Sequence, residues 1–192
     1  LAVIFAGCRR EEAAFEMLAT PAPAAVLPKY WTLPDFALTE RSGQPLRGAD
    51  LAGKVWVADF FYTTCPGPCP MLSSRFSEVQ KALGPAPDVR LVSISVDPEK
   101  DTPAVLQQYA ERFQAGAGWL FATGDKAAIY TLAREGFKLP IAEATAEGAP
   151  ITHTTRLVLV DRAGAVRGFY EGGTPESVQE LLRDIRRLLD EK

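Results

Sequence analysis

One histidine, three cysteines and two methionines are all that this 192-residue chain has of the side chains that favour soft metals or sulfur chemistry. Any imidazole chemistry must therefore use His153, and any dithiol chemistry must draw on Cys8, Cys65 and Cys69. Positive charge is not in excess: 21 Lys and Arg stand against 24 Asp and Glu, for a formal charge of -3, with no face-wide basic cluster, which argues against a nucleic-acid partner. A long apolar run is missing too. Leu1-Ala2-Val3-Ile4-Phe5-Ala6-Gly7-Cys8 is too short to span a bilayer, and no internal repeat is visible. What remains is a chain 47% hydrophobic and 23% charged, enough for one core and a tail.

Cys65 and Cys69 carry the most information. They lie four residues apart where the apolar segment 55–61 meets a predicted helix, in the run Phe60-Phe61-Tyr62-Thr63-Thr64-Cys65-Pro66-Gly67-Pro68-Cys69-Pro70. A strand ending there delivers its last residues to the rim of a sheet, and the first helical turn has unpaired N–H groups and a positive dipole end that favour thiolate. Three residues separate the cysteines, one more than in the usual dithiol redox motif, and Pro66 and Pro68 restrict the loop. Both sulfurs could meet one ion on a shared helix face, and a disulfide is within reach if the turn tightens.

The hydropathy pattern gives the surroundings. Strands are predicted over 35–39, 55–61, 89–96, 119–121, 156–160 and 165–170, the last two joined by a hairpin turn at Asp161-Arg162-Ala163-Gly164. Helices are predicted from Pro70 to Gly84, from a Thr102 cap with Pro103 at the first position, from an Asp125 cap to about Glu135, and from a Thr174 cap with Pro175. Residues 136–152 lack periodicity and read as a long loop. This order is that of a thioredoxin-like α/β fold, a central mixed sheet flanked by helices, over residues 29–192. In such a fold the chain entering strand 156–160 passes beside the dithiol loop, so His153 becomes its neighbour.

Two thiolates and one imidazole form a soft, compact ligand set, unsuited to magnesium or calcium. It suits copper(I) best; copper(II) could add a ligand, and zinc would need a fourth.

The chain from Lys29 onward resembles the Sco/SenC family of copper-binding thioredoxin-like proteins. The resemblance rests on Phe61-Tyr62-Thr63-Thr64-Cys65-Pro66-Gly67-Pro68-Cys69-Pro70, on Ser95-Val96-Asp97-Pro98-Glu99-Lys100-Asp101-Thr102-Pro103, on Trp119-Leu120-Phe121-Ala122-Thr123-Gly124, and on His153-Thr154-Thr155 leading to Leu159-Val160-Asp161-Arg162-Ala163-Gly164. It implies that Cys65, Cys69 and His153 are copper ligands. The role it implies is delivering copper to the dinuclear CuA site of cytochrome c oxidase, or keeping the cysteines of that site reduced, as an outward-facing, membrane-anchored chaperone. The copper-binding subunit of the oxidase is then the expected partner, with a thioredoxin-like reductant or another copper carrier upstream. Asp97 matches an acidic position of the family at the same sheet edge, where it could orient His153 or tune the metal. Ordinary thioredoxins place a cis-proline where this chain has Thr154-Thr155, which weakens a general oxidoreductase reading. A thiol-disulfide reductase acting on oxidase cysteines, and a peroxidase-like thiol enzyme suggested by Thr63-Thr64, are the competing functions.

The first 28 residues fit the anchoring. Phe5-Ala6-Gly7-Cys8 resembles a bacterial lipobox, in which the cysteine is acylated; the segment is otherwise the remainder of a signal or a membrane helix. The Ala/Pro-rich stretch 19–28 then serves as a semi-stiff spacer. Such a chain is expected on the extracytoplasmic face of the membrane.

Overall fold

The computed structural model describes residues 26–142, 151 and 153–191. Cys8, most of the expected spacer and most of the 136–152 loop lie outside these. Among the described residues no helix is long and apolar enough to cross a membrane.

Seven strands form one sheet: β1 (Ala37–Glu40), β2 (Pro45–Arg47), β3 (Val55–Phe61), β4 (Val89–Ser95), β5 (Trp119–Thr123), β6 (Arg156–Val160) and β7 (Val166–Glu171). Their spatial order is β2-β1-β5-β4-β3-β6-β7. β3 is buried at every residue, as its near-continuous apolar run requires of a strand covered on both faces. It pairs parallel to β4 from Val55 opposite Val89 to Phe61 opposite Ser95, and antiparallel to β6 with Trp56 opposite Val160 and Ala58 opposite Val158.

The helices are α1 (Cys69–Leu83), α2 (Pro103–Arg112), α3 (Lys126–Thr131) and α4 (Pro175–Asp190). Two successive parallel crossovers, β3-α1-β4 and β4-α2-β5, must turn right-handedly, which sets α1 and α2 on one face of the sheet. They meet there through a buried hydrogen bond, 3.0 Å, between the hydroxyls of Ser73 and Tyr109. α4 returns to the same face and packs on α1. The other face is covered by Phe137, whose ring meets Trp56 and Phe60 edge-on. Sequence signals set several boundaries: Thr102 and Asp125 accept hydrogen bonds from Val105 N and Ala128 N, and Gly84, at φ 60, ends α1 in a conformation that a side chain would resist.

The structure departs from the sequence reading at the margins. The strand predicted over 35–39 is the first arm of a hairpin, Leu38 pairing with Leu46, and its three-residue partner had been hidden by Pro45, a residue confined to sheet edges. β4 stops at Ser95, and β5 runs on to Thr123. The helix expected to reach about Glu135 is α-helical only to Thr131, then widens into a π-turn over Leu132–Gly136. Gly136 is crowded there, because a Cβ would sit 2.9 Å from Leu132 Cδ1, and its carbonyl accepts the Trp31 indole N–H at 2.7 Å.

At the base of the sheet, where β3 begins, Arg167 is 5% exposed. Its guanidinium donates to the carbonyls of Leu27 and Pro28, to both carboxyl oxygens of Glu191, and to Asp161. Residues 27 and 28, on the spacer side of the boundary expected at 28, are thus held against the domain, as is the end of α4.

Asp59 interrupts the apolar run of β3 on the α1 face. It is 1% exposed, and neither carboxyl oxygen has a hydrogen-bond partner. Burial pushes it up from 3.8 to about 7, an effect that Ser93, opposite it on β4, offsets only partly. The folded chain therefore keeps a proton that the unfolded chain loses near pH 4. The stabilisation is full below pH 3.8 and is lost as pH rises to about 7, at on the order of 1.4 kcal/mol per pH unit. Urea unfolding at pH 5 and pH 8 is expected to show this decline, and Asp59→Asn is expected to flatten it.

Candidate metal centre

β3 ends at Phe61, and the chain turns at once: Cys65 N–H donates to Tyr62 O at 3.3 Å. The turn is pinned by Asp101, a fully buried side chain just ahead of α2. Its carboxyl group accepts from Thr63 N–H at 2.9 Å, from the Thr63 hydroxyl at 2.5 Å and from the Ser95 hydroxyl at 2.5 Å, so it ties the dithiol loop to the end of β4. Asp97 supports this from its backbone, its carbonyl accepting the N–H groups of Lys100 and Asp101, while its carboxylate pairs with Lys100 Nζ at 3.3 Å. The Thr63 hydroxyl, spent on Asp101, is not offered to Cys65.

Cys69 opens α1 and is fully buried; Cys65, on the loop before it, is half-buried and accepts from Gly67 N–H at 3.4 Å. His153 arrives from the other side, immediately ahead of β6. The antiparallel register of β6 on β3 brings the start of one strand to the end of the other, and the imidazole sits edge-on against the Tyr62 ring, with centroids 5.6 Å apart at 82°.

The tautomer follows from the contacts. His153 Nδ1 lies 3.0 Å from the carbonyl of Thr154, so Nδ1 carries the proton and donates. Nε2 is then the bare nitrogen, and it faces both sulfurs, 3.2 Å from Cys69 Sγ and 3.9 Å from Cys65 Sγ. The three donor atoms lie within 4.8 Å of one another. A trigonal ion with bonds of the usual length to sulfur and imidazole nitrogen would set such an N···S pair about 3.8 Å apart. The donors therefore surround a volume of the right size for one soft ion. Asp97 is not part of this group.

Electrostatics separates the two thiols. Burial works against ionising Cys65, but the Cys69 side chain and N–H, the Gly67 N–H and the neighbouring Tyr62 hydroxyl outweigh it and hold this thiol below its ordinary value. Cys69 is pushed well above the thiol range, first by burial and then by Cys65 beside it. Burial also lowers His153 and favours the neutral imidazole that a metal needs. The metal-free site thus pairs a Cys65 thiol inclined to ionise with a Cys69 held as a thiol, its sulfur 3.2 Å from Nε2.

A half-enclosed thioredoxin-like rim carrying two cysteines and a histidine defines a class of metal-capable dithiol proteins, and the comparisons place the chain within it. Residues 26–190 match the SCO1/SenC family model, and the chain belongs to that family. It is similar to a SCO1/SenC family lipoprotein from Bacillus anthracis, 33% identical, with TM-score 0.76 over 83% of this chain and 95% of that one. It is also similar to BsSco, a member of the Sco family of cytochrome c oxidase assembly proteins for which a disulfide switch was identified, 29% identical, with TM-score 0.75 over 87% of this chain and 98% of that one. ScoI from Bradyrhizobium japonicum, solved with copper bound, is 28% identical, with TM-score 0.70 over 82% of this chain and 99% of that one.

Sequence reasoning missed three side chains around the site. Asp101 and Tyr62 figure there only as members of the runs that carry the resemblance, and Asp59 only as a break in the apolar run 55–61. The available signal was a charged or hydroxylated residue inside an otherwise apolar run. Asp101→Ala is expected to leave Thr63 and Ser95 without their acceptor, costing about 2–4 kcal/mol of stability and loosening the dithiol loop, to be read as a lower thermal midpoint and faster proteolysis between Tyr62 and Cys69.

Proposed function

We propose that this chain is a copper carrier that binds one copper ion through Cys65, Cys69 and His153 and helps mature the CuA site of cytochrome c oxidase. The observation that carries this reading is the convergence of a bare imidazole nitrogen and two sulfurs, from segments 84 residues apart, around a volume fit for one ion. Copper bound to the Bradyrhizobium relative and the oxidase-assembly role of the Sco family support the choice of metal and of target.

Three soft donors at a rim suit a cargo that must leave again, since a closed four-ligand cage releases its ion slowly. Cys65, already inclined to thiolate and partly open to solvent, is the side chain that first meets an incoming ion. Cys69 loses its proton as it joins, and His153 supplies Nε2 without a protonation change. The partners on this reading are the copper-binding oxidase subunit and an upstream reductant or copper donor. The site works from the outer face of the membrane, with acylated Cys8 or an N-terminal helix as anchor.

The unequal thiols also favour a second reading, a thiol-disulfide reductase of oxidase cysteines, in which Cys65 attacks and Cys69 resolves. That activity needs no imidazole.

Titration with copper(I) against a chromophoric chelator is expected to give one ion per chain, lost in Cys65→Ser or Cys69→Ser and weakened at least tenfold in His153→Ala. Equal binding by the histidine variant would remove His153 from the ligand set; full disulfide-reducing activity in that variant beside lost copper binding would separate the two readings. Because loading displaces thiol protons, apparent affinity is expected to rise from pH 6 to pH 8, with proton release measurable in weakly buffered solution.

A further inference from the structure

The segment that carries His153 enters the sheet late. β6 begins at Arg156, its pairing with β3 runs from Val158 to Val160, and its pairing with β7 starts at Arg156 opposite Glu171, so residues 153–155 precede every ladder. One step beyond, Gly172 N–H donates to Thr155 O at 3.0 Å, and the Thr155 hydroxyl donates to the Glu171 carboxylate at 3.2 Å. The turn between β7 and α4 thus grips the chain two residues from the imidazole.

Gly172 is buried in a tight gap. A Cβ on it would collide with Leu72 Cδ2 and would lie 2.9 Å from Thr155 O and 3.2 Å from Leu157 Cδ2. None of these atoms can swing into solvent, because Leu72 and Leu157 are fully buried and the third is backbone. Leu72 belongs to α1, three residues after Cys69 and on the same helical face, whereas Thr155 belongs to the histidine segment. The missing side chain therefore lies between the two elements that hold Cys69 Sγ and His153 Nε2 3.2 Å apart. Gly173, next to it, is exposed, and a Cβ there would meet only Met71, at an ordinary 3.7 Å. Neither glycine has a positive φ, so the space around each is what separates them.

We propose that Gly172 is a positioning residue of this site: the absence of its side chain lets the β7–α4 turn draw the histidine segment against α1, and this closure sets Nε2 on the sulfurs. The proposal rests on the copper reading for its effect on metal affinity, and on the metal-free geometry alone for the placement of the ring. A methyl group added here is a wedge that parts imidazole from thiol without altering any donor atom. Donors held in place before the metal arrives bind it more tightly than donors that must first be gathered.

The test compares the full chain with Gly172→Ala, and with Gly173→Ala as control. His153 is the only histidine, so its ring signals are unambiguous in NMR spectra. In the metal-free chain the Overhauser cross-peaks between the His153 and Tyr62 rings, whose centroids are 5.6 Å apart, are expected to weaken or vanish in Gly172→Ala and to persist in the control. Copper(I) affinity is expected to fall at least about tenfold in Gly172→Ala and to stay within about twofold in Gly173→Ala. In a His153→Ala background, adding Gly172→Ala is expected to cost less than about twofold, a non-additivity that general destabilisation would not produce. Equal losses in both backgrounds, or unchanged cross-peaks, would overturn the proposal. The unmodified chain gives a check in which no variant need fold. Amide exchange at Gly172 is expected to slow at least about tenfold on copper(I) loading, because a metal favoured by the Gly172–Thr155 bond must favour that bond in return. Unchanged exchange in a loaded chain would sink the proposal as well. Cross-peaks lost in Gly172→Ala, from a chain that binds no copper, would sustain the placement of His153 while overturning the copper reading.

Discussion

β3 is buried on both faces and paired on both edges, parallel to β4 and antiparallel to β6, and this double pairing decides where the chemistry sits. An antiparallel neighbour starts where β3 stops. Continuing the register of Ala58 opposite Val158 by four residues sets Tyr62 opposite Thr154, so the imidazole of His153 comes to rest against the Tyr62 ring and within reach of the thiols that follow. Sliding β6 by one residue would turn its alternate side chains to the opposite face. Leu157, Val158, Leu159 and Val160 are all fully buried, so the register is held by the packing each side chain meets on its own face and not by a polar–apolar alternation.

Within that frame the two cysteines have unequal roles. Cys69 is committed to the first turn of α1 and to burial, and it is held as a thiol beside Nε2. Cys65 lies on a loop whose shape comes from Pro66, Pro68 and the Asp101 clamp, and it is the more ionised and more accessible of the two. Unequal thiols serve metal uptake and disulfide exchange alike: one sulfur makes first contact and the other completes the event. The histidine is what inclines the site towards metal, because an exchange reaction does not require its bare nitrogen, whereas an ion gains from it a third donor.

Much of this was legible in the residues. The 55–61 run, the cysteines at its end and the lone histidine ahead of another apolar run sufficed to place three donors at one sheet edge, since they follow from hydropathy and from the handedness of parallel crossovers. The β1–β2 hairpin was not legible, because three residues starting with proline carry no periodicity. The π-turn was hidden too, because widening a helix by one residue depends on what Gly136 packs against. Asp101 and Tyr62 escaped for another reason: what a buried polar group bonds to is a fact of three dimensions. Asp97 illustrates the same limit, as its ion pair is with Lys100 and the clamp on the dithiol loop belongs to the carboxyl four residues on.

Arg167 has a mechanical consequence. By gathering the carbonyls of Leu27 and Pro28 and the carboxylate of Glu191 at the foot of the sheet, it brings both ends of the described chain to one pole. The sulfurs lie at the other, roughly 20 Å away along β3. A load applied at Leu27 or at Glu191 is therefore met first by a buried guanidinium cluster at the pole opposite the Tyr62–Cys69 turn, and the surface over the thiols is left clear of both ends of the described chain.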